Sequence, residues 1–177
     1  MKKNLQLMIK PASSKCNINC SYCFYNETAC NRNTGDYGII KEDTMKKIIS
    51  EASNFCETGM CSIGFQGGEP MLAGIDFYRN MLKHIKQNVK GTKFIFTLQT
   101  NGILINEEWA EFFRGNNFLL GISLDGTKKI HDNNRKNHSG NGTFDEVMKS
   151  VELLKKYNVN FNILTVVTKE LAENIEE

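Results

Sequence analysis

One pattern recurs along this chain: a short apolar run ends in a polar or glycine-containing motif, and a segment with helical spacing of apolar residues follows. Apolar runs near residues 5–11, 61–65, 93–98 and 118–124 lead into a cysteine-rich loop, G-G-E-P, Q-T-N-G and S-L-D-G, respectively. Regular alternation of strands and helices favours a parallel sheet covered by helices. Because parallel strands end at one edge of their sheet, we expect the four motifs to meet in one pocket.

The predicted elements follow from the period of the apolar residues. The predicted strands are residues 5–11, 61–65, 93–98, 118–124 and 159–167, mostly apolar on both faces as in a covered sheet. The predicted helices are residues 41–55, 75–89, a segment capped by Asn106, residues 143–157 capped by Thr143, and a last helix starting at Thr168. Residues 127–142 are predicted to form a polar loop. The fold class is therefore α/β, with about five βα units.

Three cysteines lie within eight residues of the loop after the first strand. Cys16, Cys20 and Cys23 have the spacing C-x3-C-x2-C. Three thiolates this close together can hold a metal centre and leave one coordination position open for a substrate or cofactor. The loop is therefore the candidate centre of the chemistry.

Two other interpretations of this loop remain open at the level of spacing. A structural zinc site usually has four ligands, often as two C-x2-C pairs, and this loop has one triplet. The possible fourth ligands are His84, His131 and His138. A thioredoxin-type redox pair formed by Cys20 and Cys23 belongs at a helix N-terminus and does not include a third cysteine.

Composition limits the remaining classes of function. The 177 residues are the size of one domain, and the net charge of +2 comes with dispersed lysines, which argues against nucleic-acid or membrane-surface partners. The apolar stretch at residues 5–9 is too short for a signal sequence or a membrane span, so a cytoplasmic location is predicted. Six cysteines in such a chain argue against a disulfide framework. The three outside the loop are interpreted as buried or idle thiols: Cys30, Cys56 and Cys61.

The motifs, taken in order, resemble a known family. C-x3-C-x2-C after the first strand, G-G-E-P after the second and S-x-D after the fourth resemble the radical S-adenosylmethionine (SAM) enzymes. Longer stretches are similar to the anaerobic sulfatase-maturating enzymes: I-K-P-A-S-S-K-C-N-I-N-C-S-Y-C-F-Y, F-Q-G-G-E-P-M-L-A-G, L-Q-T-N-G and N-I-L-T-V-V-T. The likeness runs from about residue 5 to residue 168. Those enzymes oxidise a cysteine or serine of a sulfatase to Cα-formylglycine.

The resemblance implies a fold and cofactors. The fold is a partial (β/α)6 barrel, here ending after about five βα units. The cofactors are a [4Fe-4S] cluster and SAM. Cys16, Cys20 and Cys23 would ligate three irons, and the fourth iron would bind SAM. One electron from the cluster would then cleave SAM to a 5′-deoxyadenosyl radical, which takes a hydrogen atom from Cβ of the target.

The resemblance also implies contacts in the pocket. The expected SAM-binding residues are Tyr22 at the adenine, Gly67, Gly68 and Glu69 near the methionine amino group, Ser123 and Asp125 near the ribose or carboxylate, and Arg135 at the carboxylate. Glycine lets a backbone approach closely, and a guanidinium can hold a carboxylate with two hydrogen bonds. Tyr25 and Gln66 are expected to contact the substrate peptide. The implied partners are a sulfatase polypeptide and an electron donor such as ferredoxin or flavodoxin.

The sequence departs from the family's pattern at its end. A sixth strand, a cysteine-rich extension with two further clusters, and the aspartate that acts as base in the family have no counterpart, so no catalytic residue is assigned. Residues 1–177 are expected to be the radical SAM core domain, the N-terminal part of a longer enzyme. We expect this part to bind the cluster and SAM weakly, without completing formylglycine formation, and to expose the edge of its last strand.

Two other functions are compatible with these residues. One is a different radical SAM peptide modifier, such as a thioether-forming maturase, whose substrate determinants would lie largely outside this sequence. The other is a degenerate cluster-binding module that serves as an interaction surface.

Overall fold

A computed structural model describes residues 2–174 and 176 of the chain. Its strands are β1 (Asn4–Ile9), β2 (Ile18–Cys20), β3 (Met60–Phe65), β4 (Lys93–Thr100), β5 (Leu119–Ser123), β6 (Arg135–Asn137) and β7 (Asn160–Leu164). Its α-helices are α1 (Phe24–Cys30), α2 (Glu42–Cys56), α3 (Ile75–Asn88), α4 (Glu107–Gly115), α5 (Lys128–Asn134), α6 (Phe144–Lys156) and α7 (Lys169–Glu173). A 3₁₀ turn covers Pro70–Ala73. None of the helices in this described part is long and apolar enough to cross a lipid bilayer.

The main sheet has the strand order β1-β3-β4-β5-β7, and every neighbouring pair in it is parallel. Ile9 lies opposite Phe65, and Phe65 lies opposite Leu98, so these strands end together. The predicted α/β architecture with parallel strands is confirmed. The motifs that follow the strands therefore share one edge, which is the edge that carries the site.

An aromatic core joins the helices to the sheet. Tyr78 of α3 is fully buried, and its ring packs edge-on against Phe65 of β3 at 5.1 Å and against Trp109 of α4 at 5.6 Å between ring centres. Its hydroxyl donates a hydrogen bond of 2.8 Å to the carbonyl of Pro70, so the buried phenol has its partner. This bond connects the core to the G-G-E-P motif at the strand edge.

The two faces of the sheet differ, contrary to the expectation that both would be covered. In β3 the buried residues Cys61, Ile63 and Phe65 alternate with the half-buried Ser62 and Gly64. The helices cover the first set, while the second set faces a concave surface. A cavity of about 190 Å³ lies on that surface, lined by residues that include Gly64, Thr97, Gln99, Gly121 and Asn162. Small and polar side chains are found there because this face lines a cleft rather than a core.

The polar loop predicted over residues 127–142 is wrong, because α5 and β6 lie within it. Thr143 occupies the N-cap position of α6 as predicted, but its side chain makes no capping hydrogen bond. The Thr143 hydroxyl donates instead to the carbonyl of Arg135 at 2.9 Å. Asp132 takes over near the start of α6, where its Oδ1 accepts from the backbone N–H of Phe144 at 2.9 Å. By contrast, Asn106 caps α4 as predicted, with its Oδ1 accepting from the N–H of Trp109 at 3.0 Å.

Strand β7 borders the sheet and carries exposed apolar side chains, as expected from the sequence. It pairs with β5 within the described residues. The exposed residues in and after it are Ile163, Leu164, Val166 and Val167. An apolar sheet edge of this kind is prone to pairing with other chains.

Candidate functional site

A cleft of about 240 Å³ opens at the C-terminal edge of the sheet. The predicted site residues that line it are Cys16, Cys20, Tyr22, Cys23, Tyr25, Gln66, Gly67, Gly68, Glu69, Ser123 and Arg135. Asp125, which is 1% exposed, does not line the cleft and is paired with Arg135, which does. The four motifs therefore meet in one place, as their positions after parallel strands predict.

A small second sheet clamps the cysteine loop. Strand β2 pairs antiparallel with β6, which places Cys20 opposite Arg135. Beside this pair, the backbone N–H of Ser21 donates to the carbonyl of Asn134 at 2.9 Å, and the Ser21 hydroxyl donates to Asn134 Oδ1 at 2.8 Å. The segment after β5 thus fixes the position of the cysteine loop.

The cysteines sit in partly buried surroundings. Burial raises the pKa of the Cys16 thiol, and hydrogen bonds from the backbone of Ile18 and the side chain of Asn101 oppose that shift. Burial also raises the pKa of Cys20 to about 11, against the lowering effect of the nearby Arg135 charge. Binding to a metal displaces the proton of a thiol, so these two sites would release protons as a metal centre assembles.

The three thiols share one cleft, as joint ligands of an iron–sulfur cluster must. In a zinc site the ligands lie about 2–2.3 Å from one ion. Within residues 2–174 and 176, no group of three or more His, Cys, Asp or Glu side chains converges in this way. In an iron–sulfur cluster the thiolates bind different irons, so the three cysteines need only line the same cleft, and they do.

The histidines considered as zinc ligands lie in other surroundings. His84, on α3, is within hydrogen-bonding distance of Asn88, at 3.1 Å. His138 Nε2 lies 3.0 Å from the carbonyl oxygen of Cys16 rather than from its thiol. His131 is fully buried in a separate network. The zinc interpretation has no support from their positions.

The glycines of the G-G-E-P motif allow the loop after β3 to pack against the cysteine loop. Gly68 has φ +58°, and a Cβ there would lie 2.4 Å from the carbonyl oxygen of Lys15. The N–H of Glu69 donates to that same carbonyl at 2.7 Å. Gly67 has φ +98° and packs against the side chain of Lys10. The close packing of the two loops therefore depends on the absence of a side chain at both glycines.

The Glu69 carboxylate is fully buried and organises the ends of β3 and β4. Its Oε1 accepts from the N–H of Met71 at 3.0 Å and from the hydroxyl of Thr100 at 2.8 Å. Its Oε2 accepts from the N–H of Asn101 at 2.9 Å. Burial raises the pKa of Glu69 to about 7, although the three donors oppose that shift. This side chain orders the loop through its hydrogen bonds, and its expected place near the methionine amino group of SAM stays a prediction.

Asp125 carries the second buried carboxylate of the site. Arg135 Nε donates to its Oδ2 at 2.8 Å, and Nη2 donates to its Oδ1 at 3.2 Å. The Tyr22 hydroxyl also donates to Oδ2, and the N–H of Val166 donates to Oδ1 at 3.0 Å. Burial raises the pKa of Asp125, but the hydrogen bonds from Arg135 and Tyr22 outweigh burial and hold it below its usual value.

This pairing bears on the roles expected for Arg135 and Tyr22. Arg135 uses two of its nitrogens on Asp125, which leaves Nη1 outside the pair. The Tyr22 ring centre lies 5.4 Å from the Arg135 guanidinium carbon. Both side chains line the cleft, and their contacts with SAM stay predictions. Asp125 accepts a hydrogen bond from each of them and so holds both in position.

His131 holds this group from behind, a role that sequence reasoning missed. Its Nδ1 accepts from the N–H of Asp125 at 3.3 Å, and its Nε2 lies 3.0 Å from the hydroxyl of Thr143. That hydroxyl donates to the carbonyl of Arg135, so His131 is assigned as the neutral tautomer with its proton on Nε2. Burial lowers the pKa of His131, which favours the neutral form.

Two further site residues come from the Q-T-N-G motif. Sequence reasoning placed this motif at the pocket without assigning a role to its residues. Thr100 bonds Glu69, and Asn101 bonds both Glu69 and the cysteine loop. The signal available in the sequence was the position of the motif directly after a strand.

Tyr25 and Gln66, the expected substrate contacts, lie at the cleft beside a second cavity. Tyr25 lines both, and its ring centre is 4.2 Å from the ammonium of Lys10. The second cavity measures about 560 Å³, and Arg32 and Lys41 are among its lining residues. An extended ligand would therefore find room next to the cleft.

The chain is similar to known sequences over nearly its full length. A family model described as the radical SAM superfamily matches residues 11–177. A cysteine-type anaerobic sulfatase-maturating enzyme of Clostridium novyi is 46% identical over 176 residues, which cover 99% of this chain and 47% of the relative. A serine-type anaerobic sulfatase-maturating enzyme of Bacteroides thetaiotaomicron is 36% identical over 171 residues, which cover 97% of this chain and 41% of the relative. The chain spans about half the length of the curated relatives it matches.

Solved structures give the same result for the fold. Native anSMEcpe with bound AdoMet matches with a TM-score of 0.91 and 46% identity, over 97% of this chain and 47% of that one. Native anSMEcpe with bound AdoMet and Cp18Cys peptide matches with a TM-score of 0.88 and 43% identity, over 98% of this chain and 46% of that one.

Proposed function

The chain belongs to the radical SAM superfamily, and we propose that it forms the cluster- and SAM-binding core of an anaerobic sulfatase-maturating oxidoreductase. In this proposal the complete enzyme oxidises an active-site residue of a sulfatase to Cα-formylglycine. Residues 1–177 are the radical SAM core domain, and no catalytic base is assigned among them.

One observation carries the proposal. The three cysteines and the G-G-E motif line a single cleft together with Ser123 and Arg135. A cleft that combines three thiols with polar groups from several strand ends suits a metal centre with an open position and a small polar ligand beside it. The bound AdoMet named for the similar anSMEcpe structures supports SAM as that ligand.

In the proposed site, Cys16, Cys20 and Cys23 hold a [4Fe-4S] cluster. When bound, the cluster and SAM would supply the one-electron radical chemistry that oxidation of the target residue needs. The protein fixes the geometry in which this happens. The β2–β6 clamp and the packing of Gly68 against Lys15 hold the cysteine loop at the cleft.

The remaining cleft residues position SAM. Gly67 and Gly68 present backbone to its amino group, and Glu69 keeps that backbone in place through its hydrogen bonds to β4. Ser123 offers a hydroxyl at the end of β5, and Tyr22 offers an aromatic face beside the cysteines. Arg135 offers its remaining N–H groups to the carboxylate of SAM, while Asp125 fixes the orientation of the guanidinium.

The substrate in this proposal is a sulfatase polypeptide that contacts Tyr25 and Gln66. The curated cysteine-type relatives are 46–47% identical to this chain, and the serine-type relative from Bacteroides is 36% identical. This difference favours a cysteine as the target residue. The electron is delivered by a donor such as ferredoxin or flavodoxin.

Anaerobic reconstitution with iron and sulfide tests the proposal. We expect about four irons per chain and an electron paramagnetic resonance signal of the dithionite-reduced protein that changes on addition of SAM. Cys20→Ala should lose the iron and the signal, whereas Cys30→Ala, at an exposed cysteine outside the loop, should keep both. Bound zinc in place of iron, or a signal indifferent to SAM, would overturn the proposal.

A further inference from the structure

Asn101 lies between the two loops that build the cleft. Its side-chain Nδ2 is 3.8 Å from the sulfur of Cys16 and 2.7 Å from Oδ1 of Asn17. Its backbone N–H donates to the buried carboxylate of Glu69. The residue is itself only 7% exposed, so water does not compete freely for these groups.

The orientation of the Asn101 amide is fixed by its other hydrogen bond. Its Oδ1 accepts from the N–H of Ile103 at 3.1 Å. Exchanging the amide oxygen and nitrogen would place Nδ2 against that N–H and Oδ1 against the Cys16 sulfur, losing both bonds. The nitrogen therefore faces the cysteine, and its two protons are directed at Asn17 and Cys16.

We propose that Asn101 is a positioning residue that donates an N–H···S hydrogen bond to the Cys16 thiolate and thereby raises the reduction potential of the cluster. The inference rests on the proposed function, since it needs the cluster on Cys16. Hydrogen bonds to ligand sulfurs withdraw electron density from the thiolate and stabilise the reduced, more negative cluster.

The three thiols are unequal in this respect. Cys16 receives the Asn101 side chain and the backbone N–H of Ile18. For Cys20 the main favourable influence is the nearby positive charge of Arg135 rather than an amide donor. The Asn101 contact thus acts on one particular ligand of the cluster, Cys16. It comes from the end of β4, which also holds Glu69 in place.

A redox titration of the reconstituted chain tests this inference. The cluster would be reduced by one electron from dithionite under anaerobic conditions, and the reduced fraction would be followed by electron paramagnetic resonance. Asn101→Leu removes the donor at similar volume. Asn101→Asp keeps the acceptor for Ile103 but replaces the donor with an anionic oxygen. Asn17→Ala is the matched control, because it removes the other partner of Nδ2 and leaves the contact with Cys16.

At a fixed potential we expect the ratio of reduced to oxidised cluster to fall about tenfold in Asn101→Leu, equivalent to about 59 mV for a one-electron couple. The ratio should fall further in Asn101→Asp and stay within about twofold of the wild type in Asn17→Ala. Equal midpoint potentials in all four proteins, at equal iron content, would overturn the inference. So would an equal shift in Asn17→Ala, since that would assign the effect to loop position.

The failure of the proposed function looks different. In that case the wild-type chain assembles no cluster, and no titration can be recorded for any variant. If Asn101→Leu alone fails to hold iron, Asn101→Asp decides the question, because it retains the hydrogen bond to Ile103 and with it the local turn.

Discussion

The site has two buried carboxylates, one on the cleft lining and one paired with Arg135, and their negative charges are stabilised differently. Glu69, after β3, receives three donors that carry no charge. Asp125, after β5, is paired with the guanidinium of Arg135. The pKa of Glu69 is raised to about 7, while that of Asp125 is held below its usual value. Of these two carboxylates at the same sheet edge, Glu69 therefore changes its charge near neutral pH, whereas Asp125 stays ionised there.

The difference separates the effect of burial on the pKa of a carboxylate from the effect of pairing it with a positive charge. Dipoles alone satisfy the hydrogen-bonding capacity of a carboxylate without fully repaying the loss of hydration. A guanidinium repays more, because it adds a full opposite charge in bidentate geometry. A cation that binds near Glu69, such as an ammonium group, would lower the pKa of that residue and stabilise its ionised form. Asp125 has less to gain, since Arg135 already supplies the charge.

Breaking the Asp125 pair should have the largest effect. Arg135→Met leaves an uncompensated buried carboxylate, and we expect the free energy of unfolding to fall by about 3–5 kcal/mol. Urea denaturation at pH 7 measures this. The double variant Asp125→Leu, Arg135→Met should recover much of the loss, since it removes the charge that was left alone. A loss below about 1 kcal/mol in the single variant would contradict the idea of a fixed charge.

The raised pKa of Glu69 should be detectable in the pH dependence of the protein's stability. The folded-state pKa of about 7 lies above the ordinary glutamate value of 4.5, so the folded state binds the extra proton in this interval. The contribution of Glu69 to the stability of the cluster-free protein should therefore fall as the pH rises from 4.5 to 7, by about 3 kcal/mol at ~1.36 kcal/mol per pKa unit. In Glu69→Gln this contribution is absent, and the difference between the two urea profiles measures it. Parallel profiles would mean that the pKa of Glu69 is the same in the folded and unfolded states.

The smallest effect is expected at the edge of the Asp125 group. Tyr22→Phe removes one donor to a charged acceptor and should cost about 1.5 kcal/mol at pH 7. Since the folded-state pKa of Asp125 is depressed, its contribution is present at neutral pH and is lost as the pH falls through that pKa. The cost of Tyr22→Phe should shrink correspondingly in acid. Denaturation at pH 7 and pH 3 compares the two, and a cost independent of pH would assign it to packing instead.

The sequence predicted the parts of the fold that depend on local periodicity. The strands of the main sheet are short, mostly apolar runs, and the long helices have apolar residues at helical spacing. Their predicted bounds agree with the structure within a few residues. Helix α5 was missed because only Ile130 and His131 of its residues are buried, which leaves no apolar period to detect. Strands β2 and β6 were missed because three-residue strands carry almost no pattern of their own.

The candidate site was predictable as a set of positions but not as a set of contacts. The motifs after the strands indicated which residues would meet. They did not show that Arg135 spends two nitrogens on Asp125, or that His131 and Thr143 connect the backbones behind them. Those bonds join segments that become neighbours only through the tertiary fold. Thr143 illustrates this, because its hydroxyl has a tertiary partner that outcompetes the local helix cap.

The β2–β6 clamp also has a consequence for the order of events during protein synthesis. Ser21 and Asn134, which join the clamp's two segments, are 113 residues apart. At about 5–20 residues per second, a ribosome takes roughly ten seconds to make the intervening chain. For part of that time the cysteine loop lacks the segment that holds it, and its thiols are open to oxidation and to the wrong metal. Iron and sulfide are therefore best delivered after the clamp has been synthesised. Correct loading of the first thirty residues thus depends on a segment from the second half of the chain.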